Sequence, residues 1–172
     1  MHSAHSLSAP GPAEGALPIA CLSGAEQLVV WVFRCRAFAH QAGRSIERDL
    51  VRRCGREAGE AAAVAIWSIL ALIALYGRRS LRLAPPGWPA VTADELRLLQ
   101  LFAATQCGRS DAAHAHLVWI FRPGHADLPV RALAHSAAAL ARHGLSLPWR
   151  GPTASAAAAL HVRQRCRIEA CD

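Results

Sequence analysis

The chain contains no lysine and no asparagine, and Met1 is its only methionine. All 19 basic residues are therefore arginine. The skew follows the codons. Lys, Asn and Met are written with triplets containing A and T, whereas Ala, Arg, Gly and Pro are written largely with G and C. A high-GC bacterial genome is expected to produce this composition without functional demand. That explains arginine in place of lysine, but not 19 bases against 12 acids and a formal charge of +7. A strongly basic chain invites a nucleic-acid partner. Here charge alone supports that partner, since no nucleic-acid-binding motif accompanies it.

Signatures of catalysis are missing as well. No Walker loop, G-x-G-x-x-G, H-E-x-x-H or G-x-S-x-G occurs. Carboxylates are few, and Glu26, Glu47, Asp94, Glu95 and Asp111 fall at expected helix starts, where capping and the helix dipole account for them. Glu57 and Glu60 lie among Arg52, Arg53 and Arg56, as in an ion-paired helical turn. The expectation is a protein that is not an enzyme, with no catalytic residue assigned and no cofactor. None of the six cysteines forms a C-x-x-C pair. Residues 1–18 have neither a basic start nor an apolar run, so no secretory signal is expected and no disulfide framework is implied. Cys35 and Cys54 read as small buried hydrophobes.

The longest apolar run, Ala61–Tyr76 (AAAVAIWSILALIALY), falls short of the roughly 20 residues of a membrane span. It is rich in alanine and holds Ser68 at its middle. The expectation is a central helix covered on all sides by others, with no membrane span, in a cytoplasmic protein.

What is present is helical. Apolar residues make up 53% of 172, enough for a core, and alanine is the best helix former. Ser23 and Glu26 form a capping box. Leu28, Trp31, Val32, Cys35, Phe38, Ala39 and Ala42 follow at helical spacing, with Arg34 on another side and Gly43 as the stop. Ser45 caps a short helix through Leu50, Val51 and Cys54 that Gly55 ends or loosens. A longer helix runs from about Glu57 to Tyr76 and stops at Gly77, with Arg78 and Arg79 placed to satisfy its last carbonyls. Ser80–Leu83 reads as an extended connector, followed by a stiff Pro-rich loop that Trp88 anchors to the core.

Thr92 and Glu95 form a second capping box, and that helix ends at Gly108. Ser110 starts the next, which runs to Phe121. Asp127 caps the last one, with Pro129 in its first turn, and Gly144-Leu145 closes it in a Schellman motif. The fold class is thus all-α with about six helices. A disordered tail over 1–20 precedes a single domain over 21–150, and 151–172 is an Ala/Arg-rich helix or tail.

Two stretches resemble each other. Leu22-Ser23-Gly24-Ala25-Glu26 aligns with Val91-Thr92-Ala93-Asp94-Glu95, and both first helices lead into Gly-Arg-Ser, at 43–45 and 108–110. In such a link glycine takes the left-handed C′ position and serine caps the next helix. Duplication into pseudo-symmetric three-helix units, 23–83 and 91–147, is the expectation.

The best metal candidates are Cys107, His114, His116 and His125. His114 and His116 stand two apart and cannot share a helical face, so no metal site is expected. The arginine-rich stretch from Arg34 to Arg56 suggests Arg34, Arg48, Arg52 and Arg56 as interaction residues. Arginine and the chain's five tryptophans are frequent interface anchors. The functional expectation is an adaptor or regulator acting through a protein partner or self-association. The alternative is a nucleic-acid-binding regulator using an Arg-rich helical face.

Overall fold

The computed structural model describes residues 17–38 and 46–151. Expectations for the N-terminal residues, for Ala39, Ala42 and the Gly43-Arg44-Ser45 link, and for 152–172 lie outside those residues. Within them the protein is all-α. The elements are β1 (Leu17–Pro18), a 3₁₀ turn (Ile19–Cys21), α1 (Gly24–Ala37), α2 (Ile46–Cys54), α3 (Arg56–Tyr76), β2 (Ala90–Val91), α4 (Ala93–Gln106), α5 (Ser110–Ile120) and α6 (Val130–Arg142).

Both capping boxes form. Ser23 N–H donates to Glu26 Oε2 at 2.8 Å, and Glu26 N–H to Ser23 Oγ at 3.3 Å. Thr92 N–H donates to Glu95 Oε2 at 2.8 Å, and Glu95 N–H to Thr92 Oγ1 at 3.1 Å. Each box satisfies donors that an α-helix start otherwise leaves open. α6 ends as its sequence dictates. Gly144 sits at φ +76°, Leu145 N–H reaches Leu140 O at 2.9 Å, and Gly144 N–H reaches Ala141 O at 3.0 Å, a Schellman motif.

α1 and α4 form the centre. Val29, Val32 and Phe33 meet Leu98, Leu101 and Phe102, all buried, and the Phe33 and Phe102 rings stand edge to face at 5.9 Å. α2 folds back on α3 more closely than side chains would allow. A Cβ on Gly59 would lie 2.5 Å from Val51 N, so only glycine admits this backbone-to-backbone approach. α3 then packs along α6, and α5 and α6 both pack on α4.

Several expectations change. Residues 17–20, expected in the N-terminal tail, are structured, because β1 pairs antiparallel with β2 (Leu17 with Val91, Pro18 with Ala90) and Ile19 N–H donates to Pro89 O at 2.8 Å. Ser80–Leu83 is a connector outside any strand, and an antiparallel pairing the sequence does not signal falls at Ala90–Val91. Ser110 does not cap α5: it is the first helical residue, and Arg109 holds the N-cap position without a side-chain bond. Pro129, not Asp127, precedes α6, and no side chain caps that helix. Arg78 and Arg79 do not close α3. Arg122 does, through its N–H to Tyr76 O at 3.0 Å and its Nε to Gly77 O at 3.2 Å. Cys21 is disulfide-bonded, although its spacing from the other cysteines implies no such bond.

Candidate functional site

The deepest polar feature is an ion pair. Arg34, on α1, is 1% exposed, and so is Glu95, on α4. Arg34 Nε donates to Glu95 Oε1 at 2.8 Å and its Nη2 to Oε2 at 2.9 Å, a bidentate fork. The remaining donors hold the Pro-rich loop, with Nη1 to Trp88 O at 2.7 Å and Nη2 to Ala90 O at 2.6 Å. Trp88 therefore anchors its loop through its carbonyl, accepting from Arg34, while its indole is not part of the core. Glu95 also accepts from Ala84 N–H at 3.0 Å. A second buried carboxylate, Glu26, pairs with Arg150 through both oxygens, one of them with Nη2 at 3.0 Å. Every oxygen and guanidinium nitrogen named here is engaged in bracing the fold.

That placement separates the four arginines grouped by sequence. Arg34 is internal, whereas Arg48, Arg52 and Arg56 are exposed on α2 and at the start of α3. Their surface is of mixed sign. Arg52 Nη2 pairs with Asp49 Oδ1, and Arg56 Nε lies 3.9 Å from Glu60 Oε1. A more uniform basic surface forms elsewhere. Arg78 Nη1 donates to Val118 O at 3.3 Å, and Arg122 Nε holds Gly77 O. The Arg79 and Arg97 guanidinium carbons stand 4.1 and 3.7 Å from the Trp119 ring centre. At those distances each guanidinium gains a cation–π contact with the indole. Asp94 links the two arginines, with Oδ1 2.6 Å from Arg79 Nη2 and 3.7 Å from Arg97 Nη1, while Oδ2 accepts from Arg82 N–H at 2.8 Å. Arg79 and Arg97 thus share one carboxylate, while Arg78 and Arg122 lie on the adjoining links, joined through Ile120 O and Gly77 O. Sequence reading misses this grouping because its members come from α4 and the two links that follow α3 and α5.

α3 is the other departure. Its sequence predicts cover on all sides, yet only 35% of the apolar stretch Gly59–Tyr76 is buried. Ala62, Ala63, Ile66, Ile69 and Ile73 face the core. Val64 and Leu75 are 61% and 64% exposed, and Ala71 and Ala74 are exposed with them. Positions 64, 68, 71 and 75 share one helical stripe, so the open face is Val-Ser-Ala-Leu, with the Ser68 hydroxyl turned inward onto Val64 O at 2.8 Å.

The metal candidates stay apart. Cys107 is exposed at the end of α4, His114 lies beside Asp127, His116 meets the Trp149 ring, and His125 stacks on Tyr76 at 4.8 Å. Among the described residues no three His, Cys, Asp or Glu side chains converge. Burial, with the Arg97 charge beside it, lowers the His116 pKa. Burial raises that of the Cys54 thiol, against a smaller opposing pull from Arg53.

No protein-family model, no curated protein and no solved structure matches this chain.

Proposed function

We propose that this protein acts through protein–protein interaction, docking a second copy of itself on the open face of α3. The observation that carries the reading is the exposed Val64–Leu75 stripe on an otherwise apolar helix. Contiguous apolar surface that a fold leaves open is a common mark of an interaction site. A twofold contact requires a self-complementary patch. An antiparallel crossing centred between Ile69 and Leu70 supplies one: Val64 meets the partner's Leu75, and Ser68 meets the partner's Ala71, small residues that admit close approach.

The expected strength follows from size. A helix of this length spans about 31 Å and is about 10 Å wide, so α3 offers roughly 300 Å² per copy, against about 800 Å² in a standard interface. Association is therefore weak and concentration-dependent. Sedimentation across a concentration series tests it. Val64→Asp and Leu75→Lys each weaken association, and the double variant recovers it, because the antiparallel register sets the two new charges opposite each other. A monomer at every concentration, or a dimer indifferent to both changes, overturns the proposal.

A second reading, nucleic-acid binding, is favoured by the surface around Asp94 rather than by α2. Arg78, Arg82 and Arg122 would contact phosphates from it. Steeply salt-dependent retention on heparin, lost when those three become Gln, supports this alternative. The expected duplication draws support from a crossed pattern. Ala84, after α3, donates to Glu95, and Arg150, after α6, pairs with Glu26.

A further inference from the structure

α5 and α6 each pack on α4 but scarcely touch one another. The gap between them is a cleft of about 530 Å³, within the size range of small-molecule sites. Its floor is apolar: Ala113 and Leu117 of α5 and Leu133 of α6, all buried. Its mouth carries two carboxylates and an imidazole: Asp111 and His114 of α5 and Asp127 of the α5–α6 link, all exposed. Among the described residues no arginine lines it. Arg109 and Arg131 neighbour lining residues in sequence without joining them.

The two carboxylates differ in what the fold asks of them. Asp111 lies in the first turn of α5, where the helix dipole accounts for it. Asp127 has no such role. It is 89% exposed and caps no helix, and its ion-pair contact is with His114 Nδ1 at 3.9 Å. We propose that the cleft binds a small amphipathic amine, with its apolar body on the Ala113–Leu117–Leu133 floor and its ammonium between Asp111 and Asp127. The pairing follows from complementarity. The floor rewards removal of hydrocarbon from water, and the mouth attracts a cation while repelling an anion.

Three probes of equal chain length separate these contributions: octylamine, octanol and octanoate, titrated into the full chain and followed by amide NMR shifts. Saturable shifts centred on Ala113, Leu117 and Leu133 are expected for octylamine. Octanol should bind about fivefold more weakly, the scale of one exposed charge pair, and octanoate more weakly still. Asp127→Asn lowers octylamine affinity toward that of octanol and leaves octanol unchanged. Ala134→Trp, at an exposed lining position, fills the cleft and abolishes binding of all three. Equal affinities for octylamine and octanol, shifts centred on α3, or no saturable shift up to the solubility of the probe would each overturn the proposal. The α3 face lies elsewhere, so Val64→Asp leaves the titration unchanged, and failure here is distinct from failure of self-association.

Discussion

Replacing Arg34 by methionine keeps most of the side-chain length and removes its charge and every donor. The change strips the fork from Glu95 and releases Trp88 O and Ala90 O. Glu95 stays buried, retaining only the N–H groups of Thr92 and Ala84. Breaking a buried pair by removing one partner costs about 3–5 kcal/mol, because the surviving charge has lost its compensation. Whole-domain stability is about 5–15 kcal/mol. With roughly 3 °C per kcal/mol for a chain of this size, the midpoint of thermal unfolding should fall by about 10–15 °C.

Circular dichroism and urea unfolding of Arg34→Met, Glu95→Gln and the double variant provide the assay. The double variant should cost less than the sum of the single ones, by about 1–3 kcal/mol, since the second change no longer orphans a buried charge. The loss also has a local signature: the Pro85–Pro89 segment, freed from Arg34, should become the earliest site of limited proteolysis. An Arg34→Met variant within about 1 kcal/mol of the parent, or strictly additive single and double changes, would refute the assignment of the pair as the brace between α1 and α4.

His116 binds its proton less readily folded than unfolded, so its contribution to stability is complete above its ordinary value near 6.5 and declines as the pH falls below it. His116→Gln should flatten the acid side of the stability–pH curve, and equal acid sensitivity in both proteins would count against the burial of that ring. The Cys54 thiol is buried and held protonated, whereas Cys107 is exposed. Iodoacetamide should therefore alkylate Cys107 in the native protein and Cys54 only on unfolding, as peptide mass spectrometry would resolve.

Features governed by neighbours along the chain are legible in the sequence. Ser23 with Glu26, Thr92 with Glu95 and the Gly144-Leu145 ending depend on residues within a turn or so, and they stand where the pattern puts them. Periodicity assigns Arg34 to an outer face, wrongly, because its partner lies 61 residues away. Helical periodicity ranks side chains by polarity and has no means to foresee a fork that neutralises one inside. The two-residue strands β1 and β2 are too short to register as alternation. Asp127 shows the same limit from the other side: Asp ahead of Pro129 reads as a cap, yet the chain makes its turn with backbone bonds and leaves the carboxylate to the cleft mouth. The Arg-rich surface around Asp94 is assembled from α4 and two links, so no window of sequence contains it.

The open face of α3 is hidden for a different reason. Hydropathy records what a helix could bury, and Ile66 and Leu75 score alike although one is covered and the other is not. The distinction matters because the fold does not need Leu75 or Val64 to be apolar. Polar substitution at exposed helical sites usually changes stability by no more than about 0.5 kcal/mol, while the core-facing Ile69 would cost several kcal/mol if cut to alanine. Val64→Asp and Leu75→Lys should accordingly unfold at the same urea concentration as the parent when measured at high dilution, where no association contributes. At high protein concentration the parent alone should gain stability, by mass action. A loss of stability at both concentrations would mean that these side chains serve the domain's own core, and the docking role of α3 would fall with it.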